Sequence, residues 1–389
     1  MPITETGNLT QFAYVPEIAF GTTPTTPVGQ IIRWAPGTDS GADRSFTQNP
    51  EMRTDYMTQA GIPGGLRGKH SIKAKLSYGS FDDWFGYGLG WASWLANVVK
   101  VRPWVSSGAT SLACDSSAKT WTRTVGSFVT DGFQVGDVIN PNGFTNSANN
   151  GAFLVSAVSA LVLTTSTATT MVTEGAAGGK SINLDISPSF TLERGHKGNG
   201  IYFAFPGTVV ECFEVAGKSG SDATVDVTFD LLSRVVSNES ASSVFSSFTN
   251  PNTNDLITSW SGTIKKGGTS ILDVVGWSFK VARNNQTAEV CGSPDLYDIQ
   301  PGAARVTGKL EIYFDSMVNY TDFRLQNDVA FQLNLGPGGA KSYTVDFTRC
   351  KITKWGAPPK EGMMTTVIEF ESDLPLSGTN TSFMLTRLP

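Results

Sequence analysis

Apolar residues Ile72, Ala74, Leu76 and Tyr78 alternate with Lys73, Lys75 and Ser77, and Val225, Val227 and Phe229 alternate with Asp226, Thr228 and Asp230. A period of two marks strands with one buried face. The pattern returns later in the chain. Adding 141 to the second run gives Thr366, Ile368 and Phe370, with Val367, Glu369 and Glu371 between and after them. Adding 234 to the first gives Val306, Gly308, Leu310 and Ile312, alternating with Thr307, Lys309 and Glu311. Shorter phrases follow the same arithmetic: SFTLERG at Ser189 is matched by AFQLNLG at Ala330, Tyr202 by Tyr343, and Gly68 by Gly302. The chain therefore reads as a tandem duplication. Ile72, Leu76, Val227 and Phe229, with their counterparts Val306, Leu310, Ile368 and Phe370, are expected on the inner face of equivalent strands.

The offsets differ by 234 − 141 = 93, so the first copy carries about 93 residues that the second lacks. The stretch from Val105 to Lys180 has only seven charged residues, and short runs such as SFVTDGF, GAFLVSAVS and ALVLTT are punctuated by NPNG and SANNG. Such punctuation marks turns. The predicted organisation is a first β domain over 1–100 plus 186–235, an inserted small β domain over 101–185, and a second β domain over 236–389. The fold class is all-β, mainly antiparallel sandwich or barrel, with short helices.

Composition narrows the function. Charged residues make up 16% of the 389, below the roughly 25% of ordinary globular chains, and the net charge is −5. With no basic cluster, a phosphate-gripping nucleic-acid binder is disfavoured. The start, MPITETGNLTQ, lacks a basic-then-apolar leader, and FLVSAVSALVL is too short for a membrane span. The expectation is a soluble chain made in the cytoplasm, with no membrane partner. The cysteines Cys114, Cys212, Cys291 and Cys350 stand singly and are expected as reduced core or sheet residues.

Candidate chemistry is sparse. His70 and His196 sit in Gly- and Lys-rich stretches, RGKHS and RGHKGNG, and are expected as solvated loop residues. CFEVAGKSG has Cys212 where a phosphate loop needs glycine and reads as a hairpin turn. In SFDDWF, Ser80 is expected to cap a short helix with Asp82 and Asp83 in its first turn, and Asp315 to cap its counterpart. No catalytic, cofactor or metal constellation emerges.

LTQFAYVPEIAFGTTPTTP (Leu9 to Pro27), then QIIRW, then GKHSIKAKLSYGSFDDWFGYGL, resembles the tail tube proteins of long-tailed, siphovirus-like bacteriophages. SFVTDGFQVGDVINPNGFTNSANNGAFLVSAVSA is similar to modules inserted in that group. The resemblance implies a β-sandwich with a flanking helix, one sheet of which joins neighbours into an inner barrel, the rings stacking into a conduit for double-stranded DNA. It implies a virion tail location, and contacts with tape-measure, tail-terminator and tail-tip proteins. Six single-domain chains make a ring in most such proteins; the duplication favours three chains with pseudo-sixfold symmetry, a hexamer being the alternative. By position, Leu9, Phe12, Tyr14, Pro16 and Phe20 would form an arm between rings, and Met52–Gly68 an inter-ring loop. The insertion would face outward. Because DNA must slide, the lumen should be acidic or neutral, and Asp226, Asp230, Glu369 and Glu371 are the candidate residues; Lys73, Lys75 and Lys309 argue against a uniformly acidic bore. Two other classes compete. A secreted or surface β-sandwich adhesion module would account for the β content, and a glycoside hydrolase would need a carboxylate pair across a cleft.

Overall fold

The computed structural model describes residues 7–52, 54–55, 57–58, 60–94, 97–108, 110–166, 170–220, 223–237, 239–314, 318–336, 340–357, 362–375 and 381–389. About 51% of the chain is strand and 7% helix, so the fold is all-β. No described helix is long and apolar enough to cross a membrane.

The first unit contains β1 (Thr10–Pro16), β2 (Val28–Ile31), β3 (Asp39–Thr47), β4 (Ile62–Lys75), helix α1 (Asp82–Leu89), β5 (Phe190–His196), β6 (Ile201–Lys218) and β7 (Asp226–Ser233). The second contains β8 (Thr263–Lys266), β9 (Thr269–Ile271), β10 (Val274–Ala282), β11 (Arg305–Tyr313), α2 (Val318–Leu325), β12 (Val329–Leu335), β13 (Ser342–Gly356) and β14 (Thr365–Ser372). The pairings match strand for strand. β2-β1-β5-β6 is mirrored by β9-β8-β12-β13, and β3-β4-β7-β6 by β10-β11-β14-β13.

β6 and β13 are long because each serves two layers. The first half of β6 pairs with β5 and its second half with β7, with a register shift between Val210 and Cys212. A bulge of this kind bends a strand so that it can change sheets. β13 does the same, with its shift between Ile352 and Lys354.

The offset of 141 relates β7 to β14 and β5 to β12 but drifts along the long strands: Phe229 lies opposite Phe213 and Phe370 opposite Ile352, an offset of 352 − 213 = 139, and Tyr343 takes the place of Phe203 rather than of Tyr202. The offset of 234 needs correction. Phe229 faces Ile72 but Phe370 faces Gly308, so the first strands are related by 236, which also carries Asp82–Leu89 onto Val318–Leu325. A slip of two residues leaves every side chain on its original face, which is why alternation alone missed it.

Ile72, Leu76, Val227, Phe229, Val306, Leu310, Ile368 and Phe370 are all buried between the layers. Each such side chain contributes on the order of 1.5–3 kcal/mol by leaving water. The two cores are filled differently. In the first, Trp84 of α1 lies between Phe190 and Phe229, with ring centroids 5.4 and 5.1 Å away. In the second, Phe331 and Phe370 stack directly at 4.6 Å, and Gly308 supplies the space. α1 ends at Gly90, whose left-handed backbone (φ 89°) lets its N–H reach the last turn. Its N-cap position is Phe81, and Ser80 instead bonds Asn252 and Ser77, so the expected Ser80 cap is corrected. Asp315 lies outside the described residues.

The insertion leaves the outer layer after Val98–Lys100, a short strand that pairs with Phe383–Leu388 at the edge of β13. It forms a closed barrel from Thr110–Asp115, Thr120–Arg123, Val138–Asn142, Phe153–Val158, Val162–Thr165 and Glu174–Leu184. The barrel has its own core around Leu112, Trp121, Phe128 and Ile182. A buried ion pair fastens it to the body: Arg102 grips both oxygens of Asp137 at 2.5 and 2.6 Å, and its guanidinium stacks 4.1 Å from the Trp91 ring.

Candidate functional site

β6 also pairs with β10, from Cys212 opposite Ala282 to Lys218 opposite Gly276. This junction fuses the inner layers of both units into one sheet ordered β3-β4-β7-β6-β10-β11-β14-β13. Alternation gives that sheet a core face and a polar face. The polar face carries Lys73, Lys75, Asp226, Asp230, Lys309, Glu369 and Glu371 together, so the acidic candidates and the lysines set against them lie side by side.

They are arranged as cross-strand pairs. Lys75 reaches Asp226 at 2.8 Å, Lys69 reaches Asp43 at 3.3 Å, and Lys354 reaches Glu369 at 3.0 Å. Arg305 forks onto both oxygens of Glu371 at 2.7 and 2.9 Å. Asp230 accepts from the Ser71 hydroxyl at 2.8 Å and the Cys212 thiol at 3.1 Å. Burial first, and then that bond to Asp230, pushes the Cys212 thiol up to about 12, so it is neutral rather than a nucleophilic thiolate. Exposed ion pairs contribute only about 0.2–1 kcal/mol each. Their larger effect is on the field, because acid and base cancel over a few ångströms.

The sheet's two ends are alike. β3 pairs, among the described residues, only with β4, and the second half of β13 only with β14. Among the described residues, the far edges of these segments carry no strand partner. Open edges recruit further strands.

Other candidates have structural roles. Asp82 accepts from Tyr343 and Arg387, and Asp83 accepts from Tyr14 at 2.7 Å, so the paired carboxylates of SFDDWF fasten α1 to both units. His70 is not a loop residue. It lies in β4 with 3% exposure, between the hydroxyls of Ser40 (2.7 Å) and Ser233 (2.9 Å), because it shares the parity of Ile72 and Ala74. Burial, and then the Arg194 charge, hold its pKa down to about 3. His196 ends β5 in a half-buried position. Cys114, Cys212 and Cys350 are buried, whereas Cys291 is exposed, which corrects the expectation for that residue. Among the described residues, no group of His, Cys, Asp and Glu is placed to hold a metal ion.

The segment expected as an arm is largely a strand of its own unit. Phe12 and Tyr14 lie in the core of β1, which is hydrogen-bonded between β5 and β2; Pro16 ends the strand and Phe20 packs under the Arg234 guanidinium. Alternating apolar residues favoured that outcome. Leu9 remains exposed. Met52–Gly68 spans the β3–β4 hairpin and the first half of β4; Arg53, Tyr56 and Gln59 lie outside the described residues, and Met52 and Met57 are exposed.

Fold and site together define a structural chain: two fused β-sandwich units built around a charge-balanced, open-ended sheet. The chain belongs to the phage tail tube protein family, whose sequence profile matches residues 7–378. It is a component of a virion tail. A comparison with curated proteins finds no match.

Proposed function

We propose that three chains close sideways into a ring of pseudo-sixfold symmetry, and that rings stack head to tail into a hollow tube through which double-stranded DNA leaves the capsid. One observation carries this reading: the inner sheet contains one finished junction, β6 against β10, and ends in two unfinished edges of the same kind. Closing those edges with further copies satisfies their backbone groups and produces rotational symmetry. The polar face would then line the bore. Its paired charges offer duplex DNA no cationic patch to hold it. The insertion is joined to the body next to Val98–Lys100 and β5, both in the outer layer, which supports its facing outward. Tape-measure, tail-terminator and tail-tip proteins would contact the bore and the tube ends, and assembly would take place in the host cytoplasm. The reading assigns no catalysis.

Negative-stain microscopy of the purified chain, with particle mass measured in parallel, tests the proposal. Rings of three chains or hollow tubes are expected. A chain that stays single at high concentration would overturn it.

A further inference from the structure

The internal junction is a template for the contact between chains. Pairings along the two inner layers set the correspondence. Phe229 corresponds to Phe370, so Phe213 corresponds to Ile352 and Glu214 to Lys354 across the β13 bulge. On the other side, Ser71 corresponds to Thr307, so Asp39 corresponds to Lys280. Within the chain, Glu214 stands directly opposite Lys280. Carrying the template to the open ends places Lys354 of one copy opposite Asp39 of the next, with the charges exchanged. Resting on the ring reading, we infer that the second half of β13 pairs antiparallel with the start of β3 in a second copy, Ile352 facing Ser40 and Lys354 facing Asp39.

A second observation points to the same occupant. α1 meets the second unit of its own chain through Tyr343, which touches Asp82 and Phe85, and at its other end the Leu89 carbonyl accepts from the Arg102 N–H; Leu89 is 0% exposed. The corresponding Leu325 of α2 is 59% exposed. Trp355 is half-buried, where its counterpart Val215 is fully buried. α2 and the end of β13 are therefore barer than α1 and β6, whose own edge is covered by β10, and the first unit of a neighbouring copy would supply the equivalent contact. In that unit Phe203 stands where Tyr343 meets α1. At the receiving edge, the Arg194 guanidinium already donates to the Ser40 carbonyl. That oxygen has a second lone pair for a neighbouring N–H.

The test uses the full chain with Cys291→Ser, which removes the exposed thiol. Directly opposed residues of an antiparallel pair have Cβ atoms about 4.5–5.5 Å apart, so Asp39→Cys with Lys354→Cys should crosslink under mild oxidation. A covalent ladder ending at three chains is expected. Separately, Asp39→Lys should reduce ring yield at least tenfold, and Asp39→Lys with Lys354→Asp should restore it. Leu325→Asp, at a position already exposed in the single chain, should leave folding intact and abolish rings. Rings that form without crosslinking, or that tolerate Leu325→Asp, would overturn this seam while leaving the ring reading standing. A ladder ending at six would keep the seam and overturn the three-chain count. Absence of rings in the unsubstituted chain would overturn the ring reading itself.

Discussion

The hydroxyl of Tyr343, in the second unit, donates to Asp82 Oδ1 in the helix of the first at 2.5 Å, while Arg387 donates to Oδ2 at 2.7 Å. Asp82 is 8% exposed, so the Tyr343 bond forms out of water, while the Arg387 side chain stays partly open to solvent. The two bonds fix the angle between the units. Hydrogen bonds to a charged group are worth about 1.5–3 kcal/mol, so Tyr343→Phe should lower unfolding free energy by that amount. Asp82→Ala should cost more, because it strands two donors. Urea unfolding measures both; a change under 0.5 kcal/mol for Tyr343→Phe would mean the bond has no net effect.

His70 makes acid sensitivity local to the β3–β4–β7 contact. Its pKa is held near 3, against an ordinary value of about 6.5. The unfolded chain therefore binds the extra proton first as pH falls. Stability is fully present above about 6.5 and is lost progressively down to about 3, on the order of 4–5 kcal/mol in total. Burial pushes Asp185 the opposite way, up to about 6, which partly offsets the slope below that pH. The difference between the native chain and His70→Gln isolates the histidine. The native chain's advantage should shrink between pH 7 and pH 4; an advantage constant over that range would refute the assignment.

Removing the insertion tests whether the body stands alone. Deleting residues 105–180 removes Asp137 and leaves Arg102, now 4% exposed, without its carboxylate. Breaking a pair that stays buried costs about 3–5 kcal/mol, and here the cost is lowered by the water that Arg102 regains when the barrel over it is removed. The deletion combined with Arg102→Leu should therefore melt higher than the deletion alone, and should still assemble. Loss of the fold in the double variant would place the boundary elsewhere.

Gly308 faces Phe370, and a Cβ there would stand 2.1 Å from the ring's Cζ. Gly308→Val should cost about 1–3 kcal/mol by overpacking. Phe370→Leu should restore part of the loss, a coupling that a double-mutant cycle reads directly.

The charge balance of the polar face can be tested with DNA. Replacing Asp226, Asp230, Glu369 and Glu371 by their amides leaves Arg305 and Lys354 without the carboxylates they now bind. Tubes of the amide variant should retain duplex DNA at low salt and release it steeply as salt rises, whereas native tubes should not retain it. Equal retention by both would show that these residues do not meet DNA.

Much of this architecture was legible as alternation. Ile72, Val227 and Phe370 announce strands, and the Phe229–Phe370 relation holds in the pairings. His70 carries the same signal: its parity with Ile72 marks it as inward, although its glycine and lysine neighbours suggest a loop. The correspondence between β4 and β11 was not legible to better than two residues, since such a slip preserves both faces; the matches of Lys69 with Arg305 and Lys73 with Lys309 favour 236. Arg102 and Asp137 are single charges in unremarkable surroundings, and only the fold brings them together. The open edges of β3 and β13 leave no mark in composition, because an edge is defined by what does not lie beside it.

Joining two sandwiches in one polypeptide has an evolutionary consequence. When every seat in a ring is filled by the same gene product, each substitution appears at all seats at once. In the proposed assembly the first and second units occupy alternate seats, so each can specialise. His70 against Val306, and Trp84 wedged in one core against Phe331 stacked on Phe370 in the other, are the divergence such freedom permits. A barrel borne on only one kind of seat would leave every second sector of the outer wall bare.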